Sequence, residues 1–219
     1  MPTISVENYL KAIYHLQADD PESRVKTKAL AKQMEISLPS VTNMLKSLAG
    51  EGLVEYQPYK GARLTEQGNR AALKVIRNHR LIEVFLVQTL DYSWDEVHAE
   101  AERLEHAISD MLAERIDKFL AHPRFDPHGD PIPTADGEIY RHDAIPLSNA
   151  KPQMRVRIER VLDQQPEVLR YLEMIGLTPS VTIEILNVLS FDGQMFIKID
   201  GTEATVSESL ASRLLVTQL

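Results

Sequence analysis

The chain has 219 residues, with 24 Lys/Arg against 32 Asp/Glu, a formal net charge of −8 and a hydrophobic share of 43%. That is an ordinary globular composition, with length enough for one or two domains and a buried core. The absence of Cys excludes a disulfide scaffold, thiolate zinc sites and thiol nucleophiles. No apolar run approaches the roughly 20 residues of a membrane span. The N-terminus shows no basic start followed by an apolar stretch. A cytoplasmic protein without a membrane partner is expected.

The charge is uneven. Residues 1–78 carry 11 Lys/Arg against 8 Asp/Glu, while residues 79–219 carry 13 against 24. A mildly basic head suits nucleic acid, and an acidic body suits cations.

In chain order, Val6, Leu10, Ile13 and Leu16 recur at helical spacing and predict a helix over 5–17. Asp19 to Ser23 is a polar break. Thr27 is expected to cap a short helix carrying Leu30, Ala31 and Met34. A turn over Ile36–Ser40 leads into a helix with Val41, Leu45 and Leu48 as its apolar stripe, ended by Gly50 to Gly52. Residues 53–57 and 62–65 read as a hairpin around Pro58-Tyr59-Lys60-Gly61. Two longer helices follow, over about 66–88 and 94–119, with Ser93 capping the second. Residues 122–153 are rich in Pro and Gly and read as an irregular connector. Strands are predicted at 154–162, 181–189, 194–199 and 214–217, with a short helix at 166–174. The tail therefore reads as a small β-barrel of roughly 70 residues.

Helix, tight turn, helix and hairpin is the layout of a winged helix-turn-helix. The second of these helices opens with Ser37, Pro39, Ser40, Thr42 and Asn43, short side chains that permit close approach to base edges, and Asn can read adenine. Arg24, Lys26, Lys28, Lys46, Lys60 and Arg63 suit phosphates. The competing reading is a protein–protein module of the same build.

His79 and Glu83 are one helical turn apart. His98, Glu102, Glu105 and His106 are expected to line one face of the next helix, beside an apolar stripe of Ala101, Leu104, Ile108, Met111 and Leu112. Such carboxylates repel one another unless a cation sits among them, so a divalent metal is expected. The bland alternative is a solvated charged face. His122, Asp126, His128 and Asp163 are further donors, and Asp-Pro-His-Gly puts Asp126 and His128 on one turn. Enzyme motifs fit poorly: there is no His-Glu-x-x-His, the inverted motif before His106 has Glu102 for its first His, and no phosphate loop or Gly-x-Ser-x-Gly is present. A His/Glu metalloenzyme and a metal-stabilised interaction module remain as alternatives to a regulator.

The stretches Arg77–Leu86, Val97–His106 and Glu7–Tyr14, with Pro127-His128-Gly129 to Pro133, closely resemble the metal-dependent repressors of the diphtheria toxin repressor and manganese transport regulator family, in its long, three-domain form. The resemblance implies a mainly α fold with a small β domain: a winged helix-turn-helix at 1–70, a metal-binding and dimerisation domain at 71–140, a linker at 141–149 and a C-terminal SH3-like (FeoA-like) domain at 150–219. It implies a homodimer on a palindromic operator in double-stranded DNA, repressing metal-uptake genes and not acting as an enzyme. It also implies a primary metal site of Asn8, Glu102, Glu105 and His106. An ancillary site would use His79, Glu83 and His98, and a further set would use Glu83, Asp126, His128 and Asp163; the two share Glu83. Glu102 stands where the iron-type branch has Cys. An oxygen-rich set suits manganese, so Mn(II) is the first expectation and Fe(II) the second. Asn8 stands where the family usually has Met or Asp, Glu7 is expected on another helix face, and Lys11 lies where some relatives have Glu.

Overall fold

A computed structural model describes residues 3–17, 20, 22–140 and 143–219. Part of the predicted break at 19–23 and the start of the predicted linker lie outside the described residues. The chain forms two compact units. The first is Met1–His79 with Glu105–Ile108 and Pro133–Glu138; the second is Arg80–Leu104, Ser109–Ile132 and Ile139–Leu219.

In the first unit, helix α1 (Ile4–Gln17) buries Val6, Tyr9, Leu10 and Ile13 along one stripe. Helix α2 (Thr27–Gln33) follows, its N-cap being Lys26 and not Thr27, with no side-chain cap bond. Helix α3 (Leu38–Gly50) buries Val41, Leu45 and Leu48 at i, i+4 and i+7. Ser37 caps it by accepting from the Ser40 amide, with Pro in the first turn. Both are local signals for a helix start, the cap alone being worth about 1 kcal/mol. Strands β1 (Val54–Gln57) and β2 (Gly61–Leu64) pair antiparallel from Val54↔Leu64 to Gln57↔Gly61. Val25 bridges to Ala62, tying the hairpin to the chain before α2. These elements share one core that includes Leu10, Ile13, Leu30, Leu45, Leu48 and Val54.

The long helix α4 (Glu66–Leu90) contributes residues to both units. The second long predicted helix is two helices, α5 (Val97–Leu104) and α6 (Asp110–Phe119). Glu105 to Ala107 form a turn between them. Ser109 restarts the helix by accepting from the Leu112 amide at 3.2 Å, with Asp110 in the first turn, where an acid is favoured. The expected single face of His98, Glu102, Glu105 and His106 is therefore broken. Met111 and Leu112, placed in the apolar stripe, are exposed, and α6 buries Ala113 and Ile116 instead.

The second unit contains a six-stranded antiparallel sheet. Its strands are β3 (Ile145–Pro146), β4 (Arg155–Val161), β5 (Thr182–Val188), β6 (Met195–Ile199), β7 (Thr202–Val206) and β8 (Leu214–Gln218), in the order β3-β8-β4-β5-β6-β7. Helix α7 (Pro166–Met174) packs Leu169 and Leu172 into its core, and the short α8 (Glu208–Ala211) adds Ala211. Residues 145–149, read as linker, are part of this structure. Ile145 and Pro146 pair with Val216 and Leu215, and Leu147 is fully buried. Trp94, from the loop before α5, belongs to the same core as Ile158, Leu169 and Leu177.

Candidate metal centres

Glu105 is the hub of the first cluster, which lies within the first unit. Its side chain is fully buried, and its carboxylate accepts from the Lys11 ammonium on both oxygens, at 3.0 and 2.7 Å. His79 Nδ1 lies 2.6 Å from Oε2, and His106 Nε2 lies 3.2 Å from Oε1. The Asn78 amide donates to the Glu105 backbone carbonyl at 3.1 Å and holds the turn beneath it. On its other side, His106 Nδ1 lies 2.6 Å from Glu7 Oε2. Glu7 thus faces the cluster, contrary to the expectation that it points elsewhere. Glu7 and Lys11 join this group without having been among the expected ligands. Their i, i+4 spacing on α1 put them on one face, and that was the available signal. Asn8 is half-buried.

The second cluster lies within the second unit. Glu83 on α4, Asp126 and His128 bring ligand atoms within 4.8 Å of one another, and all three are buried. Asp126 and His128 share one turn: the Asp126 carboxylate accepts from the amides of His128 and Asp130, each at 2.9 Å. Gly129 between them has φ +87, and a Cβ there would lie 1.9 Å from the Glu159 carbonyl oxygen. The chain passes too close to β4 for any side chain. The amide of Val161 donates to the His128 carbonyl at 2.9 Å, fixing the turn to that strand.

The tautomer of His128 follows from its surroundings. Nε2 lies 2.7 Å from the Trp94 carbonyl oxygen, which only accepts, so Nε2 carries the hydrogen. Nδ1 is buried without a hydrogen-bond partner among the described residues, 3.8 Å from Glu83 Oε1. A buried ring nitrogen without a hydrogen-bond partner, beside a buried carboxylate, is an arrangement that a cation between them resolves. An imidazole whose other nitrogen donates to a backbone carbonyl is the usual form of a metal-ligating His. His98 Nδ1 lies 3.2 Å from the same Glu83 oxygen, and its Nε2 lies 3.6 Å from Glu102. Burial, and then repulsion from Asp130 and Glu83, push the Asp126 carboxyl well above its ordinary range, with Arg80 opposing them. Asp130 is held by Arg80 and Arg160. Asp163 is not brought to this cluster: its carboxylate pairs with Arg213 and accepts from the Gln165 amide.

On the head, Ser37, Pro39, Ser40, Asn43 and Lys46 are exposed at and along the start of α3. Thr42 is half-buried and donates its hydroxyl to the Leu38 carbonyl at 2.9 Å. Lys26, Lys28 and Lys60 are exposed. Arg24 and Arg63 are engaged within the protein. Both bind Glu55, at 2.9 Å in each case, and Arg63 also pairs with Glu22. Among the described residues, no helix is long and apolar enough to cross a membrane.

Comparison with known proteins agrees along the chain. Residues 1–62 match the iron-dependent repressor N-terminal DNA-binding domain. Residues 65–134 match the iron-dependent repressor metal-binding and dimerisation domain, and residues 145–218 match the FeoA domain. A solved manganese-dependent transcriptional repressor in complex with manganese is 38% identical, with a TM-score of 0.87, covering 98% of this chain and all of that one. The structure of the manganese regulator SloR is 35% identical, with a TM-score of 0.74, covering 98% of both chains. The diphtheria toxin repressor of Corynebacterium glutamicum is 28% identical over 219 residues, covering 94% of this chain and 93% of that protein. The first and third of these relatives are repressors, SloR is a manganese regulator, and the family is not one of enzymes. The chain belongs to the diphtheria toxin repressor and manganese transport regulator family of metal-dependent transcriptional repressors.

Proposed function

We propose that this chain is a divalent-metal-activated repressor that binds a palindromic operator in double-stranded DNA as a cytoplasmic homodimer, with Mn(II) as its metal and Fe(II) as the alternative. The observation that carries the metal reading is the Glu83–Asp126–His128 group: three buried donors, one an imidazole nitrogen without a hydrogen-bond partner among the described residues, with no thiolate anywhere in the chain. Oxygen and imidazole donors suit manganese and iron(II) over softer ions. The domain matches and the solved relatives support the DNA reading.

The proposed division of labour is DNA binding by 1–70, metal binding and dimerisation by 71–140, a connection at 141–149, and an SH3-like domain at 150–219. The activating centre is proposed to use Glu102, Glu105 and His106 with a first-helix ligand. Asn8 holds that place by resemblance, and Glu7 is the α1 carboxylate at His106. Glu83, Asp126 and His128 are proposed to form a second centre. His79 and His98 complete the ancillary alternative, which shares Glu83. Asp163 would have to leave Arg213 to join. A bound divalent ion supplies concentrated positive charge that several carboxylates and imidazoles can share.

The protein's own groups do the rest. Glu105 and His106 turn a local contact with α1 into a fixed orientation of that helix. A fixed α1 favours one arrangement of the head, and the operator selects it. This is linkage by differential affinity. Ser37, Pro39, Ser40, Thr42 and Asn43 are proposed to face bases, and Arg24, Lys26, Lys28, Lys46, Lys60 and Arg63 phosphates. The test is Glu105→Ala in a gel-shift titration with Mn(II) at fixed salt. Metal-stimulated operator binding is expected to disappear, and its persistence would reject the assignment of the activating centre.

A further inference from the structure

We propose that Lys11 is a tethered cation that occupies Glu105 in the metal-free protein and that a divalent ion must displace, so that Lys11 sets the metal concentration at which the Glu105–His106 centre fills. This rests on the reading of Glu105 and His106 as metal ligands. Lys11 Nζ donates to both carboxylate oxygens of Glu105, with the two side chains 12% and 0% exposed. A carboxylate offers about four acceptor directions. Here Lys11 takes one on each oxygen, His79 Nδ1 lies against Oε2, and His106 Nε2 lies near Oε1.

Glu105 is therefore satisfied without metal. A buried carboxylate must be paired, and the ammonium does this here. A divalent ion needs the same lone pairs, and it cannot share a buried carboxylate with an ammonium at hydrogen-bond distance without strong like-charge repulsion. Lys11 must swing away as the ion enters. The pair also joins α1 to the Glu105–Ile108 turn, so it provides in the metal-free state a weaker version of the tie that the ion would make. Removing Lys11 should therefore act in opposite directions on two quantities: metal-free stability falls and metal affinity rises. A purely structural ion pair would lower stability without tightening metal binding.

The experiment measures free Mn(II) from its aqueous paramagnetic resonance signal during titration of the full chain, with thermal unfolding in chelator alongside. The ion bound at this centre is identified as the class lost in Glu105→Gln. Lys11→Gln is expected to lower the half-saturating Mn(II) for that class at least tenfold while lowering the metal-free melting temperature. Lys11→Arg, whose forked guanidinium holds a carboxylate more firmly, is expected to raise it severalfold. Unchanged or weaker binding in Lys11→Gln overturns the proposal. Should Lys11→Gln not fold in chelator, equal or tighter binding in Lys11→Arg overturns it instead. If no class of bound ion is lost in Glu105→Gln, the assignment of the metal centre itself fails, an outcome separate from a failure of the Lys11 role.

Discussion

The ring of His128 stacks on Trp94 at 20° with centroids 5.9 Å apart, and its Nε2–H donates to the Trp94 carbonyl at 2.7 Å. Trp94 is also part of the core beneath the six-stranded sheet. A ligand on His128 Nδ1 is thus one ring away from the chain's single tryptophan. Titration with Mn(II) is expected to quench Trp94 fluorescence saturably. Asp126→Asn is expected to remove or strongly weaken that saturable phase. A phase that persists unchanged would show that the ion responsible sits elsewhere.

Asp126 gives a pH dependence whose sign is fixed. Its folded carboxyl titrates well above the ordinary carboxylate range because of burial, Asp130 and Glu83. The folded state therefore binds more protons than the unfolded one between the ordinary and the raised value, and this contribution to stability falls as pH rises through that window. Metal-free Asp126→Asn is expected to be more stable than wild type at neutral pH. The difference should fade as pH is lowered through the window. Denaturant unfolding in chelator at several pH values measures it, and a constant difference would contradict the assignment to Asp126.

Gly129 allows the turn to pass against β4. Gly129→Ala is expected to cost about 1–3 kcal/mol from its positive φ and a comparable amount from the overlap with Glu159. Because His128 is the adjacent residue, the same variant should weaken metal binding at the Glu83 centre. Thermal unfolding with and without Mn(II) tests both effects. A smaller metal-induced shift in melting temperature than in wild type is the expected sign.

On the head, Glu55 holds Arg24 and Arg63. These pairs are partly exposed and individually weak, so phosphates can displace them. Arg63→Ala is expected to weaken binding to all DNA sequences alike and to reduce the salt slope by about one. Glu55→Gln, which takes one carboxylate partner from each arginine, is expected to strengthen binding and steepen the slope. Fluorescence anisotropy over a range of salt concentrations separates these outcomes.

Much of this was legible from the residues. The stripes Val6–Leu10–Ile13 and Val41–Leu45–Leu48 found α1 and α3, and the recurrence of His and Glu singled out both metal clusters. The misses have physical causes. Helical periodicity runs through Glu105–Ala107 because the residues there still fit a helical face, and the Ser109-Asp110 helix start is the local signal that overrides it. Strand β7 was missed because only Val206 of its five residues is buried, which leaves no alternation to read. The Asp200-Gly201 turn before it, with both residues at positive φ, was the usable hairpin signal. By sequence alone Lys11 is a substitution at a ligand position. That its ammonium reaches a carboxylate 94 residues away depends on tertiary packing.

Metal is proposed to control DNA binding. That control is tested most directly by the affinity of the full chain for a palindromic site in the DNA upstream of its own coding sequence, measured at fixed salt with Mn(II) and with chelator. Tight, sequence-selective binding is expected with Mn(II), falling at least tenfold in chelator. Equal affinity in the two conditions would contradict it.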